Sequence, residues 1–243
     1  MRTALVTGAS RGIGRATALR LARDGFRVGV HYGTNEAAAK EVVRLIEAEG
    51  GSAFALGADL GVPEQVETLA AEVREAAGRL DVLVNNAAIA TSVPMEQETV
   101  ETFDRIFAVN VRGLFFLTKL LLPLVPDGGR IVNVTSGVVH IAFPQIIAYA
   151  MTKGAIRTFT LALAKELGPR GITVNDVAPG IIDTDVNAEW LHTPDGQAYA
   201  QSVHALGRPG RAEEIAEVIA FAASPGASFM TGRTLDATGG GNL

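Results

Sequence analysis

Tyr149 and Lys153 stand four residues apart, a spacing that puts both side chains on one face of a helix. A free tyrosine ionises at about pH 10 and is a poor base at neutral pH. A neighbouring ammonium favours the phenolate and lowers that value. A tyrosine tuned in this way can hand a proton to a carbonyl oxygen or take one from an alcohol. The chain holds only four lysines, at 40, 119, 153 and 165, so Lys153 is not drawn from an abundant background. Ser136 ends the strand that precedes this helix, where its hydroxyl could hold a substrate oxygen beside Tyr149. Asn110 lies inside the apolar run Phe107-Ala108-Val109-Asn110-Val111. A mid-helix Asn is locally unfavourable, which implies a bend, a bound water or a proton relay. Each residue also has a plainer use: an exposed Tyr–Lys pair, a turn residue, an amide that satisfies backbone. The reading rests on their occurring together and in order.

A second group of residues suits an anionic ligand. Thr7-Gly8-Ala9-Ser10-Arg11-Gly12-Ile13-Gly14 falls between the first strand and the first helix. Gly8 permits a sharp turn, Gly12 lets backbone approach a pyrophosphate, and Gly14 lets helix and strand pack closely. The helix N-terminus then offers free N–H groups and a positive dipole end. Gly8, Ser10, Arg11, Gly12, Ile13 and Gly14 are therefore expected at a dinucleotide. The end of the second strand reads His31-Tyr32-Gly33-Thr34-Asn35, with no acid before Glu36. A carboxylate there would bond the ribose hydroxyls and repel a 2′-phosphate. Its absence, with Arg11 nearby and His31 at the ribose, favours NADP over NAD. Asp59 after the third strand could bond the adenine amino group or cap the helix that starts near Pro63.

The elements that must position these residues alternate along the chain. Strands are expected at Thr3–Thr7, Arg27–His31, Ala53–Leu56, Val82–Val84, Arg130–Val134, Ile172–Val177 and Arg233–Asp236. Helices are expected over 13–22, 35–48, 63–77, 100–122 (in one or two pieces), 148–167 and 212–223. Strands that are apolar throughout are buried on both faces, and crossover helices do that burying. The fold class is thus α/β, a doubly wound parallel sheet in a single domain spanning 1–243. The segment 181–206 lacks clear periodicity, which marks a functional or mobile stretch. Net charge is −5, giving no bulk attraction to nucleic acid or anionic membrane. With no Cys there is no disulfide framework and no thiol nucleophile. The four histidines (31, 140, 192, 204) lack metal-type spacing. The most apolar stretch, Leu114 to Val125, is shorter than the roughly 20 residues of a membrane span. The N-terminus runs at once into Ala4-Leu5-Val6, too short for a signal-peptide apolar region. A cytoplasmic protein is expected.

These motifs together resemble the short-chain dehydrogenase/reductase family, in particular its 3-oxoacyl-[acyl-carrier-protein] reductases. The resemblance runs nearly the whole length. It is carried by Thr7 to Gly14, Asp59, Asn85-Asn86-Ala87, Asn110, Ser136, Tyr149-Ala150-Met151-Thr152-Lys153, Asn175, Pro179-Gly180 with Thr184, Gly207-Arg208-Pro209, Thr231-Gly232 and Gly239-Gly240. It implies a Rossmann-type fold with Tyr149 as acid/base. Lys153 is implied to bind the nicotinamide ribose and lower the Tyr149 pKa, Ser136 to orient the carbonyl, and Asn110 to hold a water in a proton relay. It places Asp59 and Leu60 at the adenine and Asn85 and Ala87 over the cofactor. Pro179, Gly180, Ile182 and Thr184 fall at the nicotinamide end. The segment near 181–206 becomes a substrate lid that Trp190 or His192 could use to touch substrate. Two departures stand out: Ala88 replaces a common Gly, and Ala237-Thr238-Gly239 replaces Val-Asp-Gly. The implied activity is NADPH-dependent reduction of a ketone, including a 3-oxoacyl thioester on acyl carrier protein in fatty acid biosynthesis. Oxidation of a secondary alcohol, such as a sugar or polyol, is the alternative with the same machinery. A non-catalytic NADP-binding regulator would not need Ser136, Tyr149 and Lys153 together. The resemblance also implies a homotetramer or homodimer, built through the apolar helices 100–122 and 148–167.

Overall fold

The computed structural model describes residues 1–241. The chain runs β1 (Thr3–Val6), α1 (Gly12–Arg23), β2 (Arg27–Tyr32), α2 (Glu36–Ala48), β3 (Ser52–Gly57), α3 (Pro63–Ala77) and β4 (Val82–Asn85). It continues with α4 (Val100–Phe107), α5 (Leu114–Leu121), β5 (Arg130–Val134), α6 (Ile147–Leu167) and β6 (Thr173–Pro179). The last part holds β7 (Ile182–Asp183), α7 (Ala188–Leu191), α8 (Pro194–Val203), β8 (Gly210–Arg211), α9 (Ala212–Ala223) and β9 (Thr234–Ala237).

Seven strands form one parallel sheet in the order β3-β2-β1-β4-β5-β6-β9. Its residues are buried because each face is covered. One core joins Val6, Val28, Val30, Val84 and Val132 to Leu21 of α1, Val42 and Ile46 of α2, and Ile215 and Ile219 of α9. The other joins Leu5, Leu83, Ile131 and Val174 to Leu69 and Val73 of α3, Leu117 and Leu121 of α5, and Leu163 of α6. Adjacent residues of β1 thus feed opposite cores (Leu5 one, Val6 the other), the period-two side-chain alternation of a strand. Chain order reverses on either side of β1, between β2 and β4, and the crevice at that switch point is where such sheets bind ligands.

Helix starts follow local chemistry. Asn35 caps α2 by accepting from the Ala38 N–H at 3.0 Å. Pro63 opens α3, but Val62 is its cap and Asp59 does not cap it. Residues 100–124 form a continuous 25-residue helical run whose most apolar 18-residue window has a mean hydropathy of 1.5, long and apolar enough by composition to cross a membrane. The Leu114–Val125 stretch is therefore part of a longer helix than its apolar run indicates. Its Leu114, Leu117 and Leu121 are buried, and α5 packs on α3. The segment 181–206, expected to be irregular, carries β7, α7 and α8, and β7 pairs in parallel with β8.

Candidate active site

Parallel strands deliver the turns after β1, β4, β5 and β6 to the same sheet edge. The glycine turn is clamped there. The Thr7 hydroxyl accepts the N–H groups of Asn86 and Ala87, each at 3.0 Å, and the Asn86 amide donates to the carbonyls of Thr7 (2.8 Å) and Gly8 (3.2 Å). Gly8 takes φ +64°, and a Cβ on Gly14 would lie 2.2 Å from the Gly8 carbonyl oxygen. Arg11 precedes α1 and no side chain caps that helix. Among the described residues no acceptor meets the N–H groups of Gly12, Ile13 or Gly14. Free N–H donors at the positive end of a 12-residue helix suit a pyrophosphate. Thr184 reaches this turn, its Cγ2 lying 3.4 Å from where a Gly12 Cβ would be.

Four residues expected at the dinucleotide have other partners in the fold. His31 does not offer a ring nitrogen to a ribose phosphate. The ring is 2 % exposed; Nδ1 accepts the Gly8 N–H at 3.1 Å and Nε2 donates to the Ala58 carbonyl at 3.0 Å. Burial pushes its pKa down to about 4. The Leu60 side chain packs into the core between α3 and α5, which leaves only its backbone for an adenine. The Asp59 carboxylate accepts from the Gly61 N–H and the Arg105 guanidinium, both at 2.8 Å. Asn85 turns its amide under the sheet, donating to Thr118 Oγ1 (3.1 Å) and Asn133 Oδ1 (2.9 Å). The residue that faces the glycine turn is Asn86, its neighbour, which the sequence reading carried only as part of the Asn85-Asn86-Ala87 motif.

The His31 geometry predicts an acid-labile fold. Between about pH 4 and 6.5 the unfolded chain binds this proton and the folded chain does not, so stability rises with pH across that window. The contribution is fully present above pH 6.5 and amounts to about 3 kcal/mol. Denaturant titrations of the wild type and His31→Gln at pH 4.5 and 7 should show the wild type losing more stability on acidification. Equal losses would contradict the assignment.

On the neighbouring turns the remaining groups converge. Tyr149 and Lys153 lie on α6, with the ammonium 5.4 Å from the phenol ring centroid. Lys153 is 2 % exposed, donates to the Val134 carbonyl at the end of β5 (2.8 Å), and has its pKa pushed down to about 8 by burial. The Tyr149 phenol is not lowered as expected. Burial pushes it up to about 12, partly opposed by the neighbouring Ser136 hydroxyl. The ring therefore holds its proton at neutral pH. The Ser136 hydroxyl accepts from the Val138 N–H at 3.4 Å.

Asn110 is fully buried in a π-helical turn, Ala108–Gly113, that joins α4 to α5. Its Oδ1 accepts the Ile89 N–H (2.9 Å), and its Nδ2 donates to the Ile89 carbonyl (2.8 Å) and Thr152 Oγ1 (3.2 Å). Thr152 in turn donates to the Tyr149 carbonyl at 2.7 Å. The polar residue in an apolar helix thus marks a local irregularity and ties it to the turn of α6 that carries Tyr149.

Pro179 ends β6, and Gly180 leads into Ile182, which is buried in β7. Two residues not proposed from sequence fasten this corner. Asn187 donates to the Ile182 carbonyl at 2.8 Å and accepts from the Trp190 indole at 3.2 Å. Buried His204 accepts the Ile181 N–H at 3.3 Å and donates to the Ala200 carbonyl at 2.6 Å. Neither link leaves a local sequence signal. Trp190 stays 39 % exposed, His192 pairs with Asp183 at 2.9 Å, and His140 is exposed. At the altered C-terminal motif, the Thr238 hydroxyl accepts the Gly241 N–H at 3.0 Å.

Comparison with known proteins agrees with this geometry. The family described as enoyl-(acyl carrier protein) reductase matches residues 8–242. The chain is 40 % identical to a 3-oxoacyl-[acyl-carrier-protein] reductase of Synechocystis, covering 98 % of this chain and 96 % of that one. The crystal structure of the angucycline C-6 ketoreductase LanV with bound NADP superposes with a TM-score of 0.93 at 43 % identity, covering 100 % and 95 % of the two chains. The promiscuous reductase LugOII, which catalyses keto-reduction at C1 during lugdunomycin biosynthesis, gives 0.94 at 46 % identity, covering 100 % and 98 %.

Proposed function

Because the chain belongs to the short-chain dehydrogenase/reductase family, an NAD(P)-dependent oxidoreductase family, we propose that it reduces a ketone to a secondary alcohol with NADPH as the hydride source. The observation that carries this reading is the protonated Tyr149 phenol, beside the Ser136 hydroxyl and backed by Lys153, at the strand edge where the uncapped α1 terminus can take a pyrophosphate. When bound, the dinucleotide supplies a hydride at its nicotinamide. Gly8, Ser10, Arg11, Gly12, Ile13 and Gly14 hold its phosphates, and Ala87, Pro179, Gly180, Ile182 and Thr184 line the way to the nicotinamide end. Tyr149 delivers the proton to the carbonyl oxygen, Ser136 orients that oxygen, and the Lys153 ammonium beside the ring stabilises the phenolate left behind. Asn110, tied to the Ile89 backbone and through Thr152 to the Tyr149 turn of α6, would hold the water of a proton relay that restores the phenol's proton. The segment 181–206 closes over the substrate as a lid.

A carbonyl panel with NADPH, including acyl-carrier-protein thioesters, tests the activity through nicotinamide absorbance; no consumption with any ketone would defeat it. The preference for NADPH rests on the absence of a carboxylate at the end of β2 and on exposed Arg11 before α1. NADPH should bind about tenfold or more tightly than NADH, a difference that Arg11→Ala narrows. Equal affinities by fluorescence titration would remove this preference. Phe115 and Phe116 on α5 and Met151 and Leu161 on α6 are 44–51 % exposed. A second copy of the chain is the partner we assign to that apolar face.

A further inference from the structure

The three segments that reach the substrate side of this edge are 87–99, 137–147 and 181–206. The Val93 N–H donates to the Gln145 carbonyl at 2.8 Å, joining the first two. The His204–Ile181 bond holds the third at the end of β6. Together they carry six carboxylates, Glu96, Glu98, Asp183, Asp185, Glu189 and Asp195, and no Lys or Arg. The remaining twenty acids are balanced by the twenty-one Lys and Arg of the chain, so these segments carry −6 and the rest of the chain +1. Five of the six are exposed, and Glu98 is half-buried. Among the described residues none of these carboxylates forms an ion pair with a Lys or Arg; that of Asp183 meets the His192 imidazole, and its strand neighbour Arg211 pairs with Glu214. The opposite end of the crevice differs, with Arg11 and Arg15 exposed at the start of α1. The same rim is otherwise apolar. Met95, Val186 and Trp190 are 72, 64 and 39 % exposed, and Ile89 is 36 % exposed.

We propose that this mouth selects its substrate by charge, admitting a neutral, largely apolar ketone and turning away ketones carried on polyanionic groups such as coenzyme A or an acidic carrier protein. This rests on the ketoreductase reading above and narrows its substrate class. Unscreened like charges at the entrance lower the encounter rate of an anion, and salt removes the effect because the Debye length is about 10 Å at 0.1 M. The rim leaves apolar contact as the attraction for whatever enters.

A matched pair of substrates isolates the charge: the same 3-oxobutanoyl group carried on neutral N-acetylcysteamine or on coenzyme A, with saturating NADPH. At low ionic strength kcat/KM for the neutral thioester should exceed that for the coenzyme A thioester by about tenfold or more. The gap should close to about threefold or less in ~0.5 M salt. The triple variant Asp185→Asn, Glu189→Gln, Asp195→Asn should narrow the low-salt gap by raising kcat/KM for the coenzyme A thioester. Equal use of the two thioesters at low salt would overturn the proposal and leave the ketoreductase reading intact, as would a gap that neither salt nor the variant moves. Failure of both thioesters and of every neutral ketone would instead defeat the ketoreductase reading itself.

Discussion

Tyr149→Phe is expected to lower kcat for NADPH-dependent ketone reduction by about 10³-fold while leaving the NADPH dissociation constant within about twofold. The substitution removes one hydroxyl and keeps the ring that lies 5.4 Å from the Lys153 ammonium, so α6 and its contacts persist. What disappears is the acid. Burial holds the phenol at about 12, above its ordinary value, so at neutral pH the group stands protonated before turnover, as reduction requires. Lys153, pushed down to about 8 and bonded to the Val134 carbonyl, remains to position the phenylalanine ring but has no path for a proton through it. Rapid-mixing single turnovers with the best ketone of the panel, alongside fluorescence titration of NADPH, separate chemistry from binding. Residual turnover within tenfold of the wild type would mean that another group supplies the proton.

Gly14→Ala should cost NADPH binding about a hundredfold or more and destabilise the fold by about 1–3 kcal/mol, the range for overpacking a filled site. The added Cβ would lie 2.2 Å from the Gly8 carbonyl oxygen and 2.5 Å from the Asn86 amide nitrogen. Neither neighbour is a free side-chain end. The carbonyl belongs to the turn itself, and the Asn86 amide is held by the carbonyls of Thr7 and Gly8. Relief therefore has to move the turn away from β4 or lift the start of α1, and either motion displaces the N–H groups offered to the phosphates. Titration of NADPH at a temperature where both proteins are folded, with thermal melts in parallel, reads the two effects separately. Wild-type affinity in a folded Gly14→Ala protein would show that the turn does not hold the pyrophosphate.

Several parts of this architecture were open to inspection in the residues alone. The apolar strands, the glycine turn before α1, Pro63 at the start of α3 and the helix over 212–223 follow from local pattern, and the sheet they imply is the sheet observed. The Tyr149–Lys153 spacing on a helix and the irregularity at Asn110 were legible for the same reason, since both depend on helical periodicity. Asn85 and Asn86 show where legibility stops. They are identical residues, and which one turns under the sheet is set by the pleat at the end of β4.

The sequence by itself determined the order of elements, the parallel sheet and the set of polar residues gathered at its carboxyl edge, because these rest on periodicity and on glycine's backbone freedom. Only the tertiary structure decided how those residues are used. It buried His31 between Gly8 and Ala58 and kept it neutral, gave Asp59 to Arg105, and raised rather than lowered the Tyr149 phenol. It also brought acids from segments about a hundred residues apart to one rim. Desolvation and partners distant in the chain control all of these, and neither is written in local spacing.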